Sequence, residues 1–145
     1  MSQQEPLHIT IKSWIHEMRL ATYWRQAHVG NRDPVDAGPQ GLQEPDLSVV
    51  RGTVEDYARR HPRADETLLI IEIALTTQEV DPARAAIYAH AGAPVYWLLD
   101  AQAHELHLHE EPGPRGYGRI TRLVASQDID LPGIEITWSI AALFP

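Results

Sequence analysis

Between His8 and Leu20 the apolar residues Ile9, Ile11, Ile15, Met18 and Leu20 recur near helical spacing, which predicts an amphipathic helix. From Gly30 to Gln43, three glycines, two prolines and two aspartates predict a turn-rich loop. Asp46 to Val50 (DLSVV) reads as a short strand ended by Arg51-Gly52, and Val54 to Arg60 as a brief helix stopped at His61-Pro62. Thr67 to Ile73 (TLLIIEI) is the most apolar run of the chain and suits a strand buried on both faces. Asp81 can cap the next helix with Pro82 in its first position and Gly92 at its end, so Pro82 to about Ala91 is helical. Val95 to Leu99 is a further apolar strand, and Glu105 to His109 alternates as a strand with one wet side does. Arg119 to Val124 and Ile134 to Thr137 complete the predicted strands, and Trp138 to Phe144 a short closing helix. This order predicts an α/β or α+β sandwich on one mixed sheet.

Composition narrows the function classes. The 145 residues make about one domain, and the 43% hydrophobic and 22% charged shares are those of an ordinary globular protein. No apolar stretch approaches the roughly 20 residues needed to span a bilayer, and the first thirty residues lack a signal-peptide core. With no cysteine in the chain, the expected place is the reducing cytoplasm, away from membranes. The net charge of −8 argues against a protein that coats DNA by neutralising phosphates. It does not argue against a metal-dependent enzyme, because bound cations reverse the local field. Lys12 is the only lysine among twelve basic residues.

Glu72 is the anomaly in the most apolar strand, where an ionised carboxylate costs several kcal/mol unless paired or bound to a cation. If the strands DLSVV and TLLIIEI run antiparallel, Asp46 and Glu72 become cross-strand neighbours, about 5 Å apart. Two converging carboxylates would suit a hard cation; the alternative is that Asp46 caps a turn and Glu72 pairs with an arginine. His107 and His109, two apart on a strand, could ligate Zn²⁺ or simply line an exposed face. Arg59, Arg60 and Arg63 could touch a phosphate backbone or sit solvated near a helix end. Asp81 reads chiefly as a helix cap, and Tyr96, Trp97 and Trp138 as core residues.

Six short segments occur in a telling order: Glu44-Pro45-Asp46-Leu47, Val50-Arg51-Gly52, Tyr57 to Pro62, Leu69 to Ile73, Tyr88 to Gly92 and Tyr96 to Asp100. Together they resemble the Uma-two family, bacterial proteins classed with restriction endonucleases in the PD-(D/E)XK nuclease superfamily. The resemblance runs from about Glu44 to the C-terminus, dividing one domain into an N-terminal helix and loop (1–43) and a family-like core (44–145). It implies a restriction-endonuclease-like mixed sheet flanked by helices, one or two Mg²⁺ (or Mn²⁺) ions, and hydrolysis of phosphodiester bonds in DNA. Asp46 matches the family's Pro-Asp aspartate and Glu72 its strand glutamate, making them the implied metal ligands.

The departures bear on activity. The family's catalytic lysine precedes the helix tyrosine by four residues, a position held here by Arg84, and the preceding stretch is one residue shorter. Ala74-Leu75-Thr76-Thr77 replaces the usual Asp-Ser or Ser-Pro pair, and the family's Tyr-Glu-Leu-Ile-Asp-Gly-Glu region is missing. Arginine carries the lysine's charge but stays protonated and presents a bulky fork. Three readings follow: a Mg²⁺-dependent endonuclease using Asp46, Glu72 and Arg84, a non-catalytic binding or regulatory module on the same fold, and a purely structural oligomerisation domain. The sequence leaves a homodimer open.

Overall fold

The strand built from the most apolar run organises the molecule. In the computed structural model, residues 5–18, 20–23 and 27–145 are described. The elements are α1 (Pro6–Met18), β1 (Ala27–Asn31), β2 (Val35–Asp36), β3 (Leu42–Gln43), β4 (Leu47–Arg51), β5 (Thr67–Ala74), α2 (Pro82–His90), β6 (Val95–Asp100), β7 (Glu105–Gly113), β8 (Gly116–Leu123), β9 (Asp128–Asp130) and β10 (Thr137–Ser139). Six strands form one mixed sheet in the order β1-β4-β5-β6-β7-β8. Only β5 and β6 run parallel, joined by the crossover through α2; all other pairs are antiparallel.

Because β4, β5 and β6 occupy the middle of the sheet, both their faces are covered, which is why their sequences are nearly continuous apolar runs. On one face Leu47, Val49, Leu69, Ile71, Ile73, Trp97 and Leu99 meet Ile11 and Ile15 of α1. The C-terminal segment closes the same face with Ile129, Leu131, Ile140 and Leu143, and Trp14 donates its indole N–H to the Ala142 carbonyl at 2.9 Å. On the other face Ile70, Tyr96 and Leu98 meet Ala85 and Tyr88 of α2. Each fully buried Leu or Ile contributes about 1.5–3 kcal/mol relative to exposure, so the two layers together carry the fold.

Several expectations need correcting. β1 runs into the segment predicted as a turn-rich loop, taking in Gly30 and Asn31. A side chain at Gly30 would place a Cβ 2.7 Å from Ser48 Oγ, so glycine is what lets β1 approach β4. The helix expected over Val54–Arg60 is only a 3₁₀ turn, Val54–Tyr57, boxed by Thr53 and Asp56. The strand expected at Ile134–Thr137 lies instead at Thr137–Ser139, paired with the unforeseen β9. The closing helix is a 3₁₀ turn over Ile140–Leu143, capped by Ser139, with Trp138 in β10. Ile9 points to solvent, so the buried positions of α1 are His8, Ile11, Lys12 and Ile15.

Candidate active site

Local structure delivers three predicted residues to one place. Asp46 directly precedes β4, and since Leu47 pairs with Ile71, the next position along the antiparallel register sets Asp46 opposite Glu72. The ladder ends there: the Ile73 N–H, which would otherwise continue it, donates to Asp46 Oδ2 at 2.8 Å. The carboxylate of Asp46 thus lies at the fork where β4 and β5 part. Its backbone is held from the β1 side, where the Arg32 N–H donates to the Asp46 carbonyl at 3.2 Å.

Glu72 projects to the α2 side and is 5% exposed. α2 meets it because Asp81 caps the helix, accepting the Ala83 N–H at 2.9 Å, while Pro82 fits the first position and Gly92, at φ 89°, lets the chain turn away. One helical turn apart, Arg84 and Tyr88 both reach Glu72 Oε1, the guanidinium at 2.6 Å and the phenol donating at 3.4 Å. Burial, reinforced by the charge of Asp46, pushes the Glu72 carboxyl up to about 7 despite the opposing pull of Arg84. For Arg84, burial works against the charge, but the pairing with Glu72 outweighs it and holds the guanidinium above its ordinary value. Burial, and then the charge of Glu72, raises Tyr88 and Tyr96 as well. A cleft of about 630 Å³ opens over this face, lined among others by Glu72, Glu79, Asp81, Arg84 and Tyr96.

One residue of the centre escaped the sequence reading. His8 of α1, fully buried, comes from the opposite face of the sheet and places Nε2 3.2 Å from Asp46 Oδ2. The contact is off the line a hydrogen bond needs, and neither His8 ring nitrogen nor Asp46 Oδ1 has a hydrogen-bond partner. The available signal was a histidine on the buried stripe of an amphipathic helix.

The donor set suits a divalent cation: two oxygen donors of like charge crowd each other, and one carries a buried lone pair without a partner. Asp46 and Glu72 are the residues that could hold it, and no group of three or more metal-ligating side chains converges among the described residues. The other candidates lie elsewhere. His109 directs Nδ1 at the His107 carbonyl, 3.0 Å away, and packs edge-on against Tyr96 and Tyr117; His107 lies beside Glu105. That arrangement spends them on packing rather than on a shared ion. Arg60 is clasped by Glu66 and Arg63 by Asp65, whereas Arg59 is exposed. Lys12 sits on α1, one turn beyond His8, and is not among the residues lining the cleft. Tyr96 and Trp97 are core residues, and Trp138 packs against the core.

Comparison with known proteins agrees with this architecture. A crystal structure described as a "putative nuclease" of the DUF820 group from Anabaena variabilis is similar with a TM-score of 0.71 at 16% identity, over 97% of this chain and 81% of that one. At that identity the likeness speaks for the fold, a nuclease-like α+β domain. No curated protein matches. The model of the Uma2 family, described as "Putative restriction endonuclease", matches residues 1–142, so it takes in α1 and β1 as well as the segments after Glu44. The chain therefore belongs to the Uma2 restriction-endonuclease family.

Proposed function

We propose that the chain is a metal-dependent endonuclease of low turnover, holding Mg²⁺ or Mn²⁺ through Asp46 and Glu72 and hydrolysing phosphodiester bonds in DNA. The observation that carries this reading is the fork between β4 and β5, where Asp46 lies opposite Glu72 in the register, its charge helps to raise Glu72, and its Oδ1 is buried without a partner. Glu72, poised near neutrality, is the kind of perturbed acid that clusters at functional sites. A bound divalent cation supplies Lewis acidity toward a phosphate oxygen and a more acidic water.

The chain's own groups do the rest. Glu72 provides negative charge in the cleft and Arg84 positive charge at its wall, while Asp46 lies buried beside Glu72 at the strand fork. Arg84 can stabilise charge developing on a phosphate, but as a permanent cation it cannot accept a proton. It also lies directly on Glu72 and must yield some of that contact when a cation enters. Low turnover follows from both properties. The cytoplasm is the expected setting; among the described residues no helix is long and apolar enough to cross a membrane.

A second reading, a non-catalytic binding module, is favoured by one observation: the 2.6 Å Arg84–Glu72 contact already supplies positive charge to Glu72. A cleavage assay with Mg²⁺ and Mn²⁺ on single- and double-stranded DNA separates the two. Metal-dependent cleavage lost in Asp46→Asn and Glu72→Gln supports the enzyme. A metal-induced rise in Tm without cleavage supports the module, and neither effect removes both.

A further inference from the structure

We propose that His8 is a positioning residue for Asp46, fixing the carboxylate so that one oxygen is left free for a cation; this rests on the metal reading above. On α1 the buried positions are 8, 11, 12 and 15, and Ile11 and Ile15 fill theirs as a core helix requires. Histidine at the first of these positions carries two polar nitrogens into a site with 0% exposure. A buried polar group without compensation costs about 1–3 kcal/mol, so an apolar residue would be the stable choice unless the ring serves a neighbour. The neighbour is Asp46, 1% exposed, whose Oδ2 faces Nε2 at 3.2 Å.

The two oxygens of Asp46 have different surroundings. Oδ2 receives the Ile73 N–H from β5 and faces His8 from α1, so it is engaged from the main chain and from the face opposite α2. Oδ1 is buried and has no hydrogen-bond partner. Rotation of the carboxylate would break the Ile73 bond and bring Oδ1 against the imidazole. A modest turn of the ring brings an Nε2–H into line with Oδ2 and locks that choice. His8 approaches from the α1 side and Glu72 from the α2 side, so it backs the carboxylate without competing for the position between the two acids. Partners of this kind behind a metal ligand typically change metal affinity by about 10–100-fold.

The full-length protein tests this in two arms. In the first, ¹⁵N–¹H spectra of the cation-free protein are expected to show a slowly exchanging His8 Nε2–H that moves upfield in Asp46→Asn. In the second, Mn²⁺ affinity is measured by electron paramagnetic resonance of the free ion. His8→Leu, which suits a buried helix position, is expected to weaken binding about 10–100-fold with its far-ultraviolet circular dichroism unchanged. His8→Gln, whose amide nitrogen can reach Oδ2, should restore most of the affinity. Should His8→Leu fail to fold, His8→Asn, polar but too short, takes its place. An Nε2 without a proton, an Nε2–H indifferent to Asp46→Asn, or a folded His8→Leu that binds Mn²⁺ like the parent protein would overturn the assignment. A parent protein that binds no Mn²⁺ overturns the metal reading instead, and the spectra then decide on His8.

Discussion

Two Arg–Glu pairs in this molecule have nearly the same length and opposite consequences. Arg60 meets Glu66 through two contacts of 2.7 and 2.8 Å, and Arg84 meets Glu72 at 2.6 Å. The hydrogen bonds from Arg60, joined by the Arg63 N–H, hold Glu66 down to about 2. Burial and the charge of Asp46 push Glu72 up to about 7, past anything Arg84 recovers. The difference lies in the third party. Glu66 sits at the surface among arginines, and Arg60 also lies over the ring of Tyr57, 5.4 Å from its centroid. Glu72 sits beneath the sheet surface facing another acid. An ion pair therefore marks a settled contact at one place and an unmet demand for positive charge at the other.

The largest expected effect breaks that demand outright. Glu72→Gln or Asp46→Asn removes one of the two facing charges, and cleavage should fall by at least about 10²-fold, to the level of the cation-free protein. The Mn²⁺-induced rise in Tm should vanish with it, because only a ligand bound to the folded state stabilises it. Glu66→Gln should change neither readout. Equal loss in Glu66→Gln would place the phosphodiester chemistry at the surface pair.

A smaller effect comes from the arginine itself. Arg84→Lys keeps a positive charge near Glu72 but replaces the fork with a compact ammonium that can release a proton. Cleavage is expected to rise by about tenfold or more, within the range of a well-placed charge. Arg84→Ala removes the largest attraction that opposes burial, leaving the hydrogen bond from the Asp46 backbone, so Glu72 should move further up. Brisk cleavage by the parent protein that survives Arg84→Ala would make this arginine plain surface charge.

The contrast also sets how much of the centre could be read in the sequence. β5 announced itself because a central strand must be apolar on both faces, and Glu72 stood out against that background. The antiparallel neighbour supplied Asp46, and the Asp81-Pro82 start fixed α2 so that Arg84 and Tyr88 fell one turn apart. β1 was not legible, because the edge strand Ala27–Asn31 offers only Ala27 and Val29 as apolar positions and carries the glycine that Ser48 demands. The β9–β10 hairpin has three-residue strands, too short for any period to emerge. His8 was invisible for another reason: helical spacing placed it on the buried face, but only tertiary packing brings that face to Asp46.

The third effect is a pH dependence of opposite sign at the two glutamates. Glu72, raised from 4.5 to about 7, binds its proton more tightly in the folded state than in the unfolded one. Its contribution is complete below about pH 4.5 and is lost as pH rises toward 7, by up to about 3 kcal/mol at 1.36 kcal/mol per unit. Glu72→Gln lacks this loss, so its stability relative to the parent should improve between pH 4.5 and 7.5 in urea denaturation. Cation binding near pH 6 should release a proton from Glu72, seen by calorimetry in buffers of different ionisation enthalpy. A pH-independent stability gap would mean that Glu72 is already ionised at acid pH.

The smallest effect tests the surface pair. Glu66, lowered from 4.5 to about 2, binds its proton less tightly when folded, so it stabilises above about pH 4.5 and loses that contribution as pH falls toward 2. The full shift overstates the gain, because the Arg60 side chain is 48% exposed and water screens the pair. About 1 kcal/mol is the expected cost of Glu66→Gln at pH 7, including the weakened cap on the Arg63 N–H, which the Glu66 carboxylate accepts at 2.8 Å. Added salt should shrink that cost, since screening acts on exposed charges far more than on buried ones. The corresponding pH-dependent gap at Glu72 should persist in the same salt, because its largest cause is burial rather than a solvent-facing partner. If both gaps respond alike to salt, Glu72 is as wet as Glu66, and the two pairs differ only in their neighbours.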